Sequence, residues 1–252
     1  MLSAASLLGF SSCTKDLDRF PTNGETPEKI FSDPAKTLQA LAKVYGAYGL
    51  SGNGGDDKEG NGRDIAGIDE GSSDFVRQLF VLQELPTETA INAWGDQGLP
   101  DIHVHSWSAS NPFVRGLYYR SLYQIKLASD FLRNTESRAD DATIRAYRAE
   151  VRFLRAYQYW VLIDLYGNPP FVTEATATGK VYPQQISRAE LFKYIESELK
   201  AIDADLLAPK AAGYGRADKA AAWALLSRLY LNAEVYTGTQ RYAEAAEYAE
   251  RV

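Results

Sequence analysis

The sequence has little with which to build cross-links or soft-metal sites: its 252 residues include one cysteine, one methionine and two histidines. A single thiol excludes an internal disulfide framework and a four-cysteine zinc site. Positive charge is not in excess either, since 27 Lys and Arg face 33 Asp and Glu, for a net charge of -6 and a pI near 5.1. That is the wrong sign for a surface that grips phosphate backbones, so no nucleic-acid partner is expected. With 10 Pro, 19 Gly, 45% hydrophobic and 24% charged residues, the chain is neither collagen-like nor of low complexity. Its length suits more than one small domain and fewer than three. What it has in quantity is aromatic: 16 Tyr, 10 Phe and 4 Trp.

The first residues, Met1 to Ser12, form an uncharged run of small and apolar side chains that stops at Cys13 and is followed by the polar Thr14-Lys15-Asp16. The run is too short to span a bilayer and reads as the apolar region of a secretory signal over residues 1–12. No basic residue precedes it, so the true signal is expected to start upstream of Met1. Leu8-Gly9-Phe10-Ser11-Ser12-Cys13 looks like a bacterial lipobox, which would make Cys13 the acylated first residue of the mature protein; residues 13–32 then read as a tether. Acyl chains hold a protein to a membrane at about 0.8 kcal/mol per buried methylene.

Beyond the tether the pattern is helical. Asp33-Pro34 is an N-cap with proline at the first helical position, opening a helix to about Tyr48. Ser51 to Gly71 is rich in Gly, Asp and Asn and reads as loop, and the whole stretch from about 49 to 112 reads as a loop-rich insertion. Asn111-Pro112 opens a second long helix to about Asn134, and a third runs from about Ala142 to Tyr166 before Gly167-Asn168-Pro169-Pro170 stops it. Ser187 and Glu190 form a capping box for a fourth, whose apolar stripe extends to Leu206. A fifth is expected from about Ala217 to Tyr236, and another begins at Tyr242. Trp223, Leu226, Ser227 and Tyr230, with Tyr242 and Ala245, match the packing positions of a tetratricopeptide hairpin. The fold class is therefore mainly α, a tetratricopeptide-like array of helical hairpins with long ligand-carrying loops. Because the last hairpin ends at Val252 without a stop signal, the chain reads as the N-terminal part of something longer.

Candidate chemistry lies in the loops. Trp94, flanked by Asn92, Gly95, Asp96 and Gln97, would suit a sugar, whose apolar face takes an aromatic plane while carboxylates, guanidinium and amides bond its hydroxyl rim. From the residues alone it suits equally a ring packed under a loop. Asp69, Glu70, Asp74 and Asp96 are carboxylates from which a glycoside hydrolase could draw its pair. Asp101-Ile102-His103-Val104-His105 would set three metal ligands on one face if extended, but no further strong ligand accompanies them and the histidines read as loop packing. Asp57 to Ile68 begins like a calcium loop yet ends in Ile68 where a glutamate is required, and Gly60-Asn61-Gly62 lacks the third glycine of a dinucleotide loop. No metal and no cofactor is expected. Tyr157, Tyr159 and Trp160 sit in a periodic helix and read as core.

Arg148 to Trp160, continuing through Leu165-Tyr166-Gly167-Asn168-Pro169-Pro170, resembles the signature helix of the SusD-like (RagB/SusD) family. Gln83 to Ala90, Ala93-Trp94-Gly95-Asp96 and Gly215-Arg216-Ala217 leading into Ala224 to Tyr230 carry the same resemblance, which thus spans nearly all of residues 33–252. It implies a non-enzymatic outer-membrane lipoprotein of Bacteroidetes that captures oligosaccharide or polysaccharide at the cell surface and passes it to a SusC-like TonB-dependent transporter. The Lys15-Asp16 pair resembles the surface-export tag of such lipoproteins. It also implies glycan-binding roles for Asp69, Arg77 and Trp94, with Gln97 standing where starch-binding members have Asn. A hydrolase using the loop carboxylates, or a repeat adaptor that binds only protein, are the alternative functions.

Overall fold

The computed structural model describes residues 24–52, 63–179 and 182–252. Cys13, the signal, the first part of the tether and the Asp57–Gly62 stretch lie outside the described residues. Ten α-helices follow in order among those described: α1 (Pro27–Ser32), α2 (Pro34–Gly49), α3 (Phe75–Glu84), α4 (Leu99–His103), α5 (Pro112–Asn134), α6 (Ala142–Leu165), α7 (Arg188–Ala201), α8 (Lys219–Leu231), α9 (Ala233–Thr237) and α10 (Tyr242–Glu250). Pairing between extended segments is limited, among the described residues, to the isolated bridges Gly52 with Arg63 and Pro170 with Gln185.

Local chemistry sets most helix starts. Asp33 accepts from the backbone N–H groups of Ala35 and Lys36, Asn111 from Phe113 and Val114, Asp141 from Thr143 and Ile144, and Asp218 from Ala221, each satisfying donors that the first turn leaves without a partner. At α7 both arms of the capping box close, Ser187 accepting from the Glu190 N–H and Glu190 from the Ser187 N–H. The long helices α5 and α6 pack together, α6 against α7, and α8 against α10. Ser227 of α8 donates its hydroxyl to the Ala245 carbonyl of α10 at 2.8 Å, so the small residue of the hairpin pattern marks a close helix approach.

The structure refines the expected element limits and corrects two of them, the helix over Ala217 to Tyr236 and the one running to Leu206. The loop-rich stretch 49–112 also holds two helices: Asp74 caps the ten-residue α3, and α4 follows the Trp94 segment. The tether is helical over Pro27–Ser32, where Thr26 caps α1. The helix expected over Ala217 to Tyr236 is two, because Asn232 (φ -99°, ψ 11°) leaves helical geometry between α8 and α9. Similarly α7 ends at Ala201, and Leu206 is buried from the turn beyond it.

Two apolar clusters hold the array together. The larger gathers Tyr159, Trp160, Ile195, Leu199, Leu226 and Tyr230 from α6, α7 and α8, and the second joins Leu41 and Val44 of α2 to Phe131, Leu132, Val151 and Leu154. Tyr159 and Trp160 are core, and Tyr157 packs against it, as the helical period required. A third, smaller cluster is the one that positions the loops: Val81 and Leu85 of α3, Leu99 and Ile102 of α4 and Phe113 of α5.

Candidate functional site

The third cluster is a platform on which two connections stand, one entering α3 and one running from α3 to α4. Entry to α3 is fixed by Asp74, whose carboxylate accepts the Arg77 N–H at 2.9 Å. One turn into the helix, the Arg77 guanidinium reaches both connections: Nη1 donates to the Gly71 carbonyl at 2.6 Å, and Nη2 to the Asp96 carboxylate. Asp69 is exposed at the start of the same turn, with its Oδ1 3.3 Å from where a Gly71 Cβ would stand, so its carboxyl and Arg77 flank one glycine.

Trp94 lies in the connection from α3 to α4, 65% exposed, with the Arg77 Cζ 5.2 Å from its ring centroid. The guanidinium therefore touches the indole, a carbonyl and a carboxylate together, a partly exposed arrangement in which a cation–π contact contributes about 0.5–1 kcal/mol. Behind it stands Phe113, 6.0 Å from the same carbon. Asp96 and Gln97 follow Trp94 in the turn into α4, Gln97 exposed. Gly98 closes that turn at φ 84°; a Cβ there would also lie 2.7 Å from Asn111 Nδ2 and 2.8 Å from Pro112 Cδ, so only glycine fits. The Asn111 amide, which caps α5 with its oxygen, uses its nitrogen to hold the Gly98 carbonyl at 2.8 Å.

Beside Trp94 an open groove of about 670 Å³ runs between the connection and α4, lined among others by Leu85, Ile91, Asn92, Pro100, His103 and Val104. Ile91 and Val104 are largely exposed on it. Asp69, Arg77 and Trp94 thus stand in one neighbourhood, with Gln97 three residues past the ring. The pair to Arg77 is Asp96, not Asp69, and the helix cap is Asp74. No part of the Glu70 side chain is described. The histidines are not extended as a ligand strip, because Leu99–His103 is helical: His103 accepts a backbone N–H from Asn92, while His105 Nε2 lies 2.6 Å from the Pro86 carbonyl. Sequence reasoning missed the roles of Asn92, Asp96 and His103 as partners. Only Asn92 carried a signal, an Asx side chain two residues before the backbone N–H it bonds.

A family model described as SusD-like, starch-binding and associating with the outer membrane matches residues 76–231, well over half of the chain and inclusive of Arg77, Trp94 and Gln97. The chain belongs to the SusD-like family. It is 40% identical over 245 residues to the starch-binding protein SusD of Bacteroides thetaiotaomicron, a match covering 97% of this chain and 42% of that protein. A SusD-like protein of Formosa agariphila is 25% identical over 175 residues, 65% of this chain and 29% of the relative. The chain thus spans less than half the length of the curated relatives it matches. Among solved structures, a SusD homolog from Bacteroides thetaiotaomicron superposes with a TM-score of 0.67 at 18% identity, over 89% of this chain and 41% of that one. A laminarin-binding SusD-like protein gives 0.63 at 18% identity over 86% and 43%. These similarities establish the helical fold of the SusD-like proteins for this chain.

Proposed function

We propose that this chain is the glycan-binding part of a surface lipoprotein, in which Trp94 stacks on a sugar ring while Arg77, Asp69 and Gln97 bond its hydroxyls. The observation that carries the reading is the exposed Trp94 ring held against the Arg77 guanidinium at the lip of a groove. A large apolar ring left in solvent loses the stabilisation of burial, about 1.5–3 kcal/mol for a big side chain, and an aromatic face next to polar donors is the surface a pyranose fits. Membership of a family with starch-binding and laminarin-binding relatives supports the same ligand class.

Two of the four carboxylates from which a hydrolase could draw its pair are otherwise engaged: Asp74 caps α3 and Asp96 is tied to Arg77. The similar proteins are named as binders, in keeping with a role in capture and not in cleavage. On this reading residues 1–12 are a signal, Cys13 carries the acyl anchor in the outer membrane, and residues 33–252 present the site to the outside. Bound oligosaccharide is then handed to a SusC-like TonB-dependent transporter.

The test is calorimetric titration of the chain with soluble starch and with laminarin, beside Trp94→Ala. Saturable binding that the variant loses is the expected result. Release of reducing sugar, or equal binding by both proteins, would overturn the assignment. Palmitate labelling that survives Cys13→Ala would refute the anchor, and failure of a barrel receptor to co-purify with the anchored protein would refute the partner.

A further inference from the structure

The tryptophan of the proposed site stands on a backbone with few ties. From Ala90 to Gly95 the chain has no regular secondary structure. Among the described residues, one hydrogen bond joins the backbone of this segment to another part of the fold: the Asn92 N–H donates to His103 Nε2 at 3.2 Å. A second bond is internal, the Trp94 N–H donating to the Asn92 side-chain oxygen at 2.9 Å. The two form a relay from α4 through Asn92 to the backbone that carries the indole. Its fixed end is rigid, because Leu99 and Ile102 of α4 are fully buried in the third apolar cluster.

A backbone N–H can only donate, so Nε2 of His103 must be the ring nitrogen without a proton, and Nδ1 carries it. The half-buried imidazole lines the same groove as Trp94 and supplies one acceptor at the length of its side chain. The contacts from Arg77 bear on the ring of Trp94 and on Asp96 beyond it; none fixes the backbone before the indole.

We propose that His103 is a positioning residue for glycan binding, acting through Asn92 to set the backbone from which Trp94 projects. The proposal rests on the reading of Trp94 as the sugar platform. It assigns to the histidine an acceptor function that has nothing to do with metal or acid–base chemistry, and it predicts that an acceptor of equal reach can replace it. Glutamine places its amide oxygen about where Nε2 stands, asparagine falls one methylene short, and leucine fills the space with no acceptor.

The experiment uses the whole chain and two readouts. Amide hydrogen exchange by NMR reports the relay without ligand: Asn92 should be protected in the wild type and in His103→Gln, and exposed in His103→Leu and His103→Asn. Calorimetry with soluble starch reports the consequence. His103→Gln should bind within about twofold of the wild type, and His103→Leu about fivefold to tenfold more weakly, the scale of one hydrogen bond. Should the leucine variant fail to fold, the Gln and Asn variants decide between them. Wild-type protection of Asn92 in the folded Leu or Asn variant, or wild-type affinity for starch in either, overturns the proposal. Starch binding that is indifferent to Trp94→Ala sinks the glycan reading instead, and leaves amide exchange to decide whether His103 holds the segment.

Discussion

Replacing Gly116 by alanine should destabilise the protein, although alanine is the better helix former by about 1 kcal/mol. Gly116 lies inside α5, facing α3. A Cβ built there would stand 2.1 Å from Gln78 Nε2 and 2.8 Å from both its Cδ and its Oε1. An amide at the end of a flexible side chain could usually swing aside. Gln78 cannot do so freely: it is fully buried, and its Nε2 donates to the Ser72 carbonyl at 2.8 Å. The methyl must therefore either push α3 away from α5, an overpacking cost of roughly 1–3 kcal/mol, or break that hydrogen bond inside the core, roughly 1–3 kcal/mol for the group left unpaired. Against a gain of about 1 kcal/mol in propensity, the net loss is expected near 1 kcal/mol, within a range of roughly 0–2. Urea denaturation of Gly116→Ala, of Gln78→Ala and of the double variant measures it. The double variant should lose less than the sum of the singles, because truncating Gln78 clears the space for the methyl. A Gly116→Ala protein stabilised by the full propensity gain of about 1 kcal/mol, or simple additivity, would refute the close-approach argument. Because α3 carries Arg77, weakened glycan binding should accompany the loss.

Three further outcomes follow from other contacts. Burial pushes the Glu198 carboxyl upward, but hydrogen bonds and charge from Arg152 and Arg155 outweigh it and hold the group below its ordinary 4.5, and Arg155 does the same to Glu174. A depressed folded value means the stabilisation is full above the ordinary carboxylate value and is lost as pH falls below it, so the melting temperature should drop between about pH 5 and pH 3, less steeply in Glu198→Gln. Tyr45 donates to Glu150 at 2.7 Å and accepts the Ala217 N–H at 2.9 Å, tying α2 and α6 to the start of α8. Tyr45→Phe should cost about 1–3 kcal/mol in chemical denaturation. Arg77→Lys should leave stability within about 1 kcal/mol, the scale of a partly exposed ion pair. It should nonetheless weaken starch binding, since a single ammonium cannot serve Gly71, Asp96 and the indole face together; unchanged affinity by calorimetry would contradict that.

How far the sequence reveals this structure depends on how local each signal is. The caps at Asp33, Asn111, Asp141 and Ser187 bond groups two or three residues away, so spelling and structure coincide. Helix α3 escaped because its pattern misleads: the polar Gln78 is fully buried while Val76 and Phe80 face solvent, so the apolar period does not separate its faces. The six-residue α1 has no fully buried residue, only the partly buried Phe31 against Phe131, and is too short to show a stripe. At Leu231-Asn232-Ala233 neither glycine nor proline marks the break between α8 and α9. In the candidate site, the polar flanks of Trp94 were visible, but the partners were not. Arg77 and Asp96 are nineteen residues apart in sequence and Asn92 and His103 eleven, and they meet only because α3 and α4 share one apolar cluster.

The aromatic richness of the chain finds its physical use in the same long-range contacts. A helical array offers mostly side-chain contact between its members, since each helix satisfies its own backbone. Tyrosine adds to apolar burial a hydroxyl that can reach a neighbouring segment, and here it does so repeatedly. Tyr48 donates to the Leu154 carbonyl, Tyr166 to the Val114 carbonyl, Tyr236 to the Asp164 carboxylate and Tyr230 to Glu196, each across elements. Tyr159 both donates to the Val172 carbonyl and accepts the Val172 N–H, and so fixes the segment that follows α6. Burial without an aqueous partner raises the phenol pKa of Tyr159 and Tyr230 to about 12, so these rivets keep their protons across the physiological range. Such pins give direction to packing that apolar contact alone leaves adjustable. Of these, the Tyr166 bond ties the end of α6 to α5, and α5 is what carries both Phe113 under Arg77 and the Asn111 amide that fixes Gly98. The exposed ring of Trp94 therefore rests on the apolar cluster shared by α3, α4 and α5, and through Tyr166 that cluster is tied to the rest of the helical scaffold.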